Sequence, residues 1–178
     1  MGSLDTAVCA DGANSTSDFR FPISAAQAAL DTVTDPELPF LTIRDLGILR
    51  GVHDDNGTLV VTITPTYSGC PANDIIALDI DVALTRAGLG PFRVELIRAP
   101  AWTTDWITPE GRAKLAENGI APPLQAGGKR ALFETDVLAC PRCGSAHTEQ
   151  VSAFGSTACK AHHRCLDCRE PFEAFKCI

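Results

Sequence analysis

Apolar and polar positions change their spacing several times along the first part of the chain, and each change predicts an element. Residues 22–33 begin with a proline and place apolar side chains on one side, which predicts a first helix. Residues 46–52 and 58–64 predict two strands, because the second run alternates apolar and polar positions. A turn over residues 53–57 separates them, and its Asn-Gly pair favours an antiparallel hairpin.

Three further segments complete the predicted order of elements. Residues 72–87 predict a second helix with a buried stripe formed by Ile76, Ile80, Ala83 and Ala87. Residues 92–97 alternate and predict a third strand. Thr108 as N-cap, with Pro109 in the first helical position, predicts a short third helix. The order of helix, strand, strand, helix, strand and helix predicts a small α+β layer.

Composition divides the chain into four parts. Residues 1–20 are small and polar, which predicts a disordered leader. The predicted elements occupy residues 21–120, and a proline- and glycine-containing linker follows over residues 121–132. We expect residues 133–178 to form a small module held together by a metal.

Charge and hydropathy exclude several classes of protein. The net charge of −7 argues against a general nucleic-acid binder, which needs a basic surface. The sequence contains no apolar run of about eighteen residues, so we expect no transmembrane helix. The first residues lack the basic start and apolar stretch of a signal peptide. We therefore expect a cytoplasmic protein, whose cysteines are metal ligands or reactive thiols rather than disulfides.

Two Cys-x-x-Cys pairs are the strongest chemical signal in the chain. Cys140 pairs with Cys143, and Cys165 pairs with Cys168. Each turn directs two thiolates at one centre, and two such turns complete a tetrahedron. Gly144 suits the tight backbone that follows the first pair. We favour a structural zinc ribbon, because a closed four-thiolate site stabilises a module with little core of its own. Iron remains open, since it also binds four thiolates.

Cys70 lies apart from these pairs, between the second predicted strand and the second predicted helix. Gly69 precedes it and Pro71 follows it, so Cys70 takes the N-cap position, where the helix amides and dipole stabilise a thiolate. A single thiolate on a loop cannot enclose a metal. Two copies in a dimer, or one copy with a partner's thiol, could share a labile cluster. An inert half-buried cysteine is an equal alternative on physical grounds.

The remaining candidates have simpler interpretations. Asp35 and Glu37 could act as a carboxylate pair, but acidic residues in a turn usually satisfy the local backbone. Cys159 exceeds the four ligands that zinc needs, and a buried free cysteine behaves as a small hydrophobic residue. Trp102, Trp106 and Tyr67 could line a binding wall, although packing against the sheet is the favoured interpretation.

Longer motifs resemble a known family. Residues 35–37 (Asp-Pro-Glu), residues 61–72 and the order of elements resemble the small domain of iron–sulfur cluster assembly and targeting proteins of the SufT type. A closer resemblance, covering about residues 22–178, is to D subunits of the bacterial phenylacetyl-CoA epoxidase (ring 1,2-phenylacetyl-CoA oxygenase) system. That closer resemblance is carried by residues 100–106, 154–161, 168–172 and 175–178.

This resemblance implies an accessory role in aerobic phenylacetate breakdown, without independent enzymatic activity. In that system other subunits form the di-iron oxygenase, and a separate reductase carries flavin and a [2Fe–2S] cluster. The resemblance matches Cys70 to the cysteine of the assembly domain and the two Cys-x-x-Cys pairs to the zinc ribbon. It also places Cys159 in a family motif. Cys159 is therefore a further metal-ligand candidate, ranked below the four thiols of the two pairs.

The expected cofactors are a structural zinc ion and a transient iron–sulfur cluster. The expected partners are the other epoxidase components, especially the iron–sulfur reductase, together with the iron–sulfur assembly machinery and a second copy in a homodimer. Two other functions remain open. The chain could be an electron-transfer subunit that uses metal at the four-cysteine site, or a non-catalytic zinc protein with a regulatory or interaction role.

Overall fold

The computed structural model describes residues 22–67, 69–123 and 138–176. The predicted leader and residues 124–132 of the predicted linker lie outside the described residues. Across the described ranges, every helix falls short of the length and apolar character that a bilayer crossing requires.

The N-terminal domain contains three helices and a three-stranded sheet, as the α+β prediction requires. Its strands lie in the order β1-β2-β3, with β1 antiparallel and β3 parallel to β2. The elements are α1 (Ile23–Leu30), β1 (Leu49–Asp55), β2 (Thr58–Ile63), α2 (Ala72–Arg86), β3 (Phe92–Leu96) and α3 (Pro109–Glu117). A short 3-10 helix, Thr104–Trp106, precedes α3.

The predicted hairpin is confirmed, but its turn is shorter and its first strand lies later. Asn56 and Gly57 have φ angles of 50° and 84°, as the tight turn of a two-residue hairpin requires. The strand β1 continues through Asp55 and begins at Leu49 rather than at residue 46. The delay arises because residues 46–48 belong to a local hydrogen-bonded turn, which also packs closely against Trp106. Gly47 has a φ of 66°, and a Cβ there would lie 2.5 Å from the backbone oxygen of Trp106.

The helices follow the predicted order, with corrections at their ends. Helix α1 ends at Leu30, before the predicted end at residue 33. Helix α2 ends at Arg86, and Leu84 rather than Ala87 is buried there, because the chain turns away at Gly88 with a φ of 69°. The cap of α3 is confirmed, since the Thr108 hydroxyl accepts a hydrogen bond of 3.0 Å from the Gly111 N–H.

A second sheet of four strands forms the C-terminal part. Its order is β4-β7-β6-β5, and its strands are β4 (Ile120–Ala121), β5 (Thr148–Ser152), β6 (Lys160–Cys165) and β7 (Pro171–Phe175). Strand β4 includes Ala121, the first residue of the predicted linker, and it pairs in parallel with β7 through Ala121 and Ala174. A two-residue strand has no periodicity that a sequence pattern can reveal.

The two sheets share a hydrophobic core. The large buried cluster of the N-terminal domain includes two residues of the C-terminal sheet, Ile120 and Phe175, and also Cys159 from the turn before β6. The Trp102 ring lies 6.1 Å from the Phe175 ring, and its indole N–H donates a 2.9 Å hydrogen bond to the Leu46 carbonyl. The C-terminal sheet is therefore packed against the N-terminal domain.

Candidate functional site

Four thiols converge at one end of the C-terminal sheet. The Sγ atoms of Cys140, Cys143, Cys165 and Cys168 all lie within 4.8 Å of one another. The Cys140–Cys168 sulfur distance is 3.8 Å, and the Cys143–Cys165 distance is 3.6 Å. Sulfurs at the corners of a tetrahedron around one metal, with bonds of about 2.3 Å, lie about 3.8 Å apart. The four thiols therefore fit a single four-coordinate metal ion.

The backbone around the thiols forms two matching turns. Gly144 and Arg169 each follow the second cysteine of a pair, with φ angles of 73° and 67°. The Cys168 N–H lies 3.5 Å from the Cys165 sulfur, and this amide, with that of Asp167, lowers the pKa of the Cys165 thiol to about 6. Such amides stabilise thiolates, which are the form that binds metal.

Cys70 is half-buried on the loop between β2 and α2. Gly69, directly before it, has a φ of 90°, so the loop turns sharply at this point. The N-cap of α2 falls on Pro71, one residue later than predicted. The Cys70 carbonyl accepts a 3.4 Å hydrogen bond from the Asn73 N–H, so the cysteine still lies at the entrance to the helix.

Tyr67 faces Cys70 from the preceding turn. Burial, together with the charge of Cys70 and a hydrogen bond to it, raises the pKa of Tyr67 to about 12, and Glu37 and Cys159 act in the same direction. The phenol consequently remains a hydrogen-bond donor at neutral pH. Tyr67 therefore has Cys70, Glu37 and Cys159 as its ionisable neighbours.

The two acidic residues of the Asp-Pro-Glu turn have different environments. The Asp35 carboxylate accepts hydrogen bonds from the Glu37 and Leu38 amides, at 2.8 and 2.9 Å, and burial raises its pKa. Asp35 therefore holds the turn, in agreement with the local interpretation. The Glu37 carboxylate instead reaches outward from the turn, and its Oε2 atom lies 3.9 Å from the Cys159 sulfur.

Cys159 is 6% exposed and lies at the start of β6, outside the group of four thiols. Its sulfur is 3.0 Å from the Thr157 hydroxyl, and burial raises the pKa of the thiol. The next residue, Lys160, is also buried and forms a 2.9 Å ion pair with Glu173. Cys159 is thus directed towards the N-terminal domain.

Known proteins resemble both parts of the chain. Residues 23–96 match the family described as "Iron-sulfur cluster assembly protein", and residues 125–176 match "PaaD zinc beta ribbon domain". The D subunit of the "Putative 1,2-phenylacetyl-CoA epoxidase" of Escherichia coli (strain K12) is 50% identical over 151 residues, which cover 85% of this chain and 90% of that protein. The chain belongs to the family of phenylacetyl-CoA epoxidase D subunits.

A second relative matches about half of this chain. The "Fe-S protein maturation auxiliary factor" of Porphyromonas gingivalis (strain ATCC BAA-308 / W83) is 33% identical over 88 residues, covering 48% of this chain and 83% of that protein. A solved domain of unknown function, DUF59, from Bacillus anthracis is 28% identical with a TM-score of 0.49, and the match covers 52% of this chain and 90% of that one.

Both tryptophans pack against other side chains, and Trp102 also lines a cleft. Trp102 is 3% exposed, and the Arg50 guanidinium lies 3.5 Å from the centre of the Trp106 ring. A cleft of ≈ 230 Å³ opens beside Tyr67, with Arg98 on its wall. Trp102 and Tyr67 line this cleft together, whereas Trp106 packs beneath Arg50. The binding-wall interpretation therefore stays a prediction.

The sequence offered Cys70, Glu37 and Cys159 as separate candidates, and the structure places Glu37 beside Cys159. Cys70 and Glu37 were candidates because of their motifs, whereas Cys159 was separated from both by a long stretch of chain. The contact between Glu37 and Cys159 spans 122 positions. The only signal for Cys159 in the sequence is its place in a family motif.

Proposed function

We propose that this chain is an accessory component of a phenylacetyl-CoA epoxidase system, and that it helps to assemble or maintain a metal centre of its partners. The observation that carries the proposal is the half-buried Cys70 at the entrance to α2, within a domain that matches iron–sulfur cluster assembly proteins. A thiol in this position can receive a metal species and release it again, because the surrounding loop does not enclose it.

The partners we propose are the other epoxidase components in the cytoplasm. The reductase is the favoured client, since its [2Fe–2S] cluster is the kind of centre that an iron–sulfur assembly domain would serve. The iron–sulfur assembly machinery would supply the cargo. In this role the chain needs no catalytic turnover of its own. Its contribution would be measured as the metal occupancy of the client protein.

We also propose that Cys140, Cys143, Cys165 and Cys168 bind a structural zinc ion. Four thiolates complete the coordination of zinc and leave no open position for a substrate, which is typical of structural sites. The bound zinc would stabilise the C-terminal sheet and present it to a client. Iron in the same four-thiolate site would instead supply one-electron chemistry, as an electron-transfer subunit requires.

Metal analysis distinguishes these two assignments. We expect about one zinc per chain in protein purified without oxygen, and no visible absorption band that depends on the four thiols. A visible band with stoichiometric iron that disappears in Cys143→Ser would contradict the zinc assignment and favour the electron-transfer subunit. A weaker band that disappears in Cys70→Ala would support a transient cluster instead.

The maturation role is tested in cells with Cys70→Ala. Removal of one sulfur should cost only about 1 kcal/mol of stability, so the chain should remain folded. We expect poor growth on phenylacetate, normal growth on other carbon sources, and folded epoxidase components with a poorly filled metal centre. Cys9→Ala is the matched control, because it removes a thiol outside the region of family resemblance.

The measurement is the metal content of the purified oxygenase and reductase from each strain. Full occupancy of both proteins in the Cys70→Ala strain, together with normal growth on phenylacetate, would overturn the maturation role. That result would favour a regulatory or interaction role for a zinc-containing protein.

A further inference from the structure

The cleft beside Tyr67 carries a polar group that the fold leaves unsatisfied. Thr64, which directly follows β2, lines the cleft and is 1% exposed. Within the described part of the chain, the Thr64 hydroxyl has no hydrogen-bond partner. Burying an unpaired hydroxyl destabilises a fold, whereas a valine of the same shape would avoid that cost. A ligand in the cleft would supply the missing partner.

Arg98 brings a positive charge to the same cleft. Strands β2 and β3 are parallel, with Ile63 opposite Leu96, so the residues that follow them emerge at one edge of the sheet. Thr64 follows β2 and Arg98 follows β3, and both line the cleft. In the segments that the structure describes, Arg98 is exposed and forms no ion pair. The cleft therefore combines an unpaired cation with an unpaired hydroxyl.

The remaining walls are largely apolar, and the space between them is small. Trp102, Tyr67 and Pro65 line the cleft, whose volume is ≈ 230 Å³. An apolar cavity of about 150 Å³ in another protein binds benzene, so this cleft has room for one ring and a short polar group. Pockets that enclose drug-sized ligands begin at about 300 Å³, so a nucleotide or a whole coenzyme would not be enclosed here.

We propose that this cleft binds a small carboxylate with a single apolar ring, whose carboxylate group lies between Arg98 and the Thr64 hydroxyl and whose ring packs on Trp102. A guanidinium donates two parallel hydrogen bonds to a carboxylate, which keeps further lone pairs for hydroxyl donors. Thr66, a second threonine of the lining, is 8% exposed and offers another hydroxyl. The ring would replace water at the apolar walls.

Inorganic phosphate fits the same cleft less well. Arg98 is the one basic residue among the described residues that line the cleft. A phosphate group carries about two negative charges at neutral pH, and it would leave the wall of Trp102 and Tyr67 unoccupied. A carboxylate matches the single positive charge, and a ring matches the apolar wall.

This ligand class rests on the cleft and is independent of the proposed function. The choice of probe does rest on that function. Phenylacetate has one ring and one carboxylate, and it is the acid whose coenzyme A thioester appears in the name of the related epoxidase subunit.

The test uses the full-length chain with Trp106→Phe, which leaves Trp102 as the single tryptophan. Trp102 fluorescence reports binding at the cleft wall, and calorimetry with the natural chain should give the same affinity. We expect saturable binding of phenylacetate with a dissociation constant below about 1 mM. Benzoate and cyclohexylacetate, which share its chemistry, are titrated beside it. The neutral phenylacetamide should bind at least about tenfold more weakly, and excess inorganic phosphate should not displace phenylacetate.

Two substitutions remove the polar groups in turn. We expect Arg98→Gln to weaken phenylacetate binding by at least about tenfold, because it removes the charge-assisted hydrogen bonds. Thr64→Val should weaken binding by about fivefold and should raise the melting temperature, because no unpaired hydroxyl is then buried. Thr64→Ser keeps a hydroxyl and should bind phenylacetate more tightly than Thr64→Val does.

Arg86→Gln and Thr62→Val are the matched controls. Arg86 is exposed at the end of α2, Thr62 lies within β2, and neither belongs to the described residues that line the cleft. Both variants should bind phenylacetate as tightly as the natural chain.

Absence of saturable binding for all three carboxylates would overturn the proposal, as would unchanged affinity in Arg98→Gln. Displacement of phenylacetate by phosphate would overturn the carboxylate class. A Thr64→Val chain that is less stable than the natural chain would show that the hydroxyl serves the fold, and would overturn its role in binding.

The proposed function can fail separately. If phenylacetate binds but Cys70→Ala cells keep filled metal centres, the carboxylate site stands and the maturation role falls. If Cys70→Ala cells lose metal centres but none of the three carboxylates binds, the maturation role stands and the carboxylate site falls.

Discussion

The N-terminal domain and the C-terminal sheet are stabilised in different ways. The buried cluster of the first is dominated by leucine, isoleucine and valine side chains. The separate buried cluster of the second contains two metal-site cysteines, two alanines and Phe172. Two larger apolar residues of the C-terminal part, Val151 and Phe154, have side chains that are 60% and 69% exposed. The N-terminal domain therefore has a core of its own. We expect the C-terminal sheet to depend for its stability on a bound metal and on its packing against that domain.

Contacts at the boundary join the two regions and couple their stabilities. Strand β4 leaves the N-terminal domain and joins the C-terminal sheet, and Phe175 of that sheet packs on Trp102. Loss of metal should therefore weaken the N-terminal domain without unfolding it. Each of the following substitutions acts on one region or on the contact between them.

Cys143→Ser should have the largest effect, because it removes one ligand of the four-thiol site. Structural zinc contributes on the order of 10 kcal/mol to the folding of small zinc modules. We expect loss of zinc, protease cleavage after residue 138, and a lower but still cooperative melting transition for the N-terminal domain. Zinc analysis and limited proteolysis with mass spectrometry measure these outcomes.

Arg142→Ala is the matched control for this experiment, since Arg142 is an exposed neighbour in the same turn. It should keep its zinc and its protease resistance. Stoichiometric zinc in the Cys143→Ser variant would contradict the assignment of four ligands.

Gly47→Ala should destabilise the N-terminal domain and leave zinc in place. Gly47 has a φ of 66°, and an added Cβ would lie 2.5 Å from the Trp106 backbone oxygen. We expect a loss of about 3 kcal/mol from strain and overpacking. Gly51→Ala is the control, because no atom lies within 4 Å of the Cβ that it would add. Denaturant unfolding compares the two, and equal stabilities would show that the close contact with Trp106 is unimportant.

Trp102→Phe should weaken the contact between the two regions. The substitution keeps an aromatic ring near Phe175 but removes the N–H that donates to the buried Leu46 carbonyl at 2.9 Å. An unsatisfied buried carbonyl costs about 1–3 kcal/mol, so we expect a loss in that range. Trp106→Phe, in which a ring remains beneath Arg50, should cost less. If hydrogen exchange shows faster opening only in the N-terminal domain, the proposed coupling between the regions is wrong.

Local signals explain how much of the N-terminal fold could be predicted from the sequence. The Asn-Gly turn, the alternation of β2 and the Thr108 cap each depend on neighbouring residues, and all three were predicted. The start of β1 was wrong because residues 46–48 belong to a hydrogen-bonded turn, in which the Leu46 and Ile48 N–H groups donate to the Thr42 and Ile43 carbonyls. Periodicity carries no information about such contacts.

The four-thiol site depends on local sequence signals, whereas the contact between Cys159 and Glu37 depends on long-range packing. The Cys-x-x-Cys spacing indicates which thiols can bind one metal ion, because each pair is held together by its own turn. The approach of Cys159 to Glu37 depends on how the C-terminal sheet packs against the N-terminal domain. That packing includes β4, whose two residues form a strand only when β7 is beside them.

Asp45→Asn should have the smallest effect on the free energy of unfolding. The pH dependence of this effect distinguishes the Asp45 ion pair from the metal site of the ribbon. Burial disfavours the Asp45 carboxylate, but Lys114 at 2.6 Å and the amide and hydroxyl of Thr42 outweigh it and lower the pKa below 3.8. A lowered pKa contributes stability that is complete above the unfolded value and is lost as pH falls through the folded value. We expect a loss of about 1 kcal/mol near neutral pH.

The difference between the natural chain and Asp45→Asn should therefore stay constant above about pH 5. It should shrink as the pH falls further, through the unfolded pKa and then through the lowered folded pKa of Asp45. Acid also protonates the four thiols and releases their metal, which lowers the stability of both proteins together. Because the ribbon is the same in both, its contribution cancels in the difference, and what remains reports on the N-terminal domain alone. Denaturant unfolding at each pH measures the difference in free energy of unfolding between the two proteins. A difference that also stays constant as the pH falls through both pKa values would show that the charge of Asp45, and with it the contact to Lys114 on α3, does not stabilise the N-terminal domain.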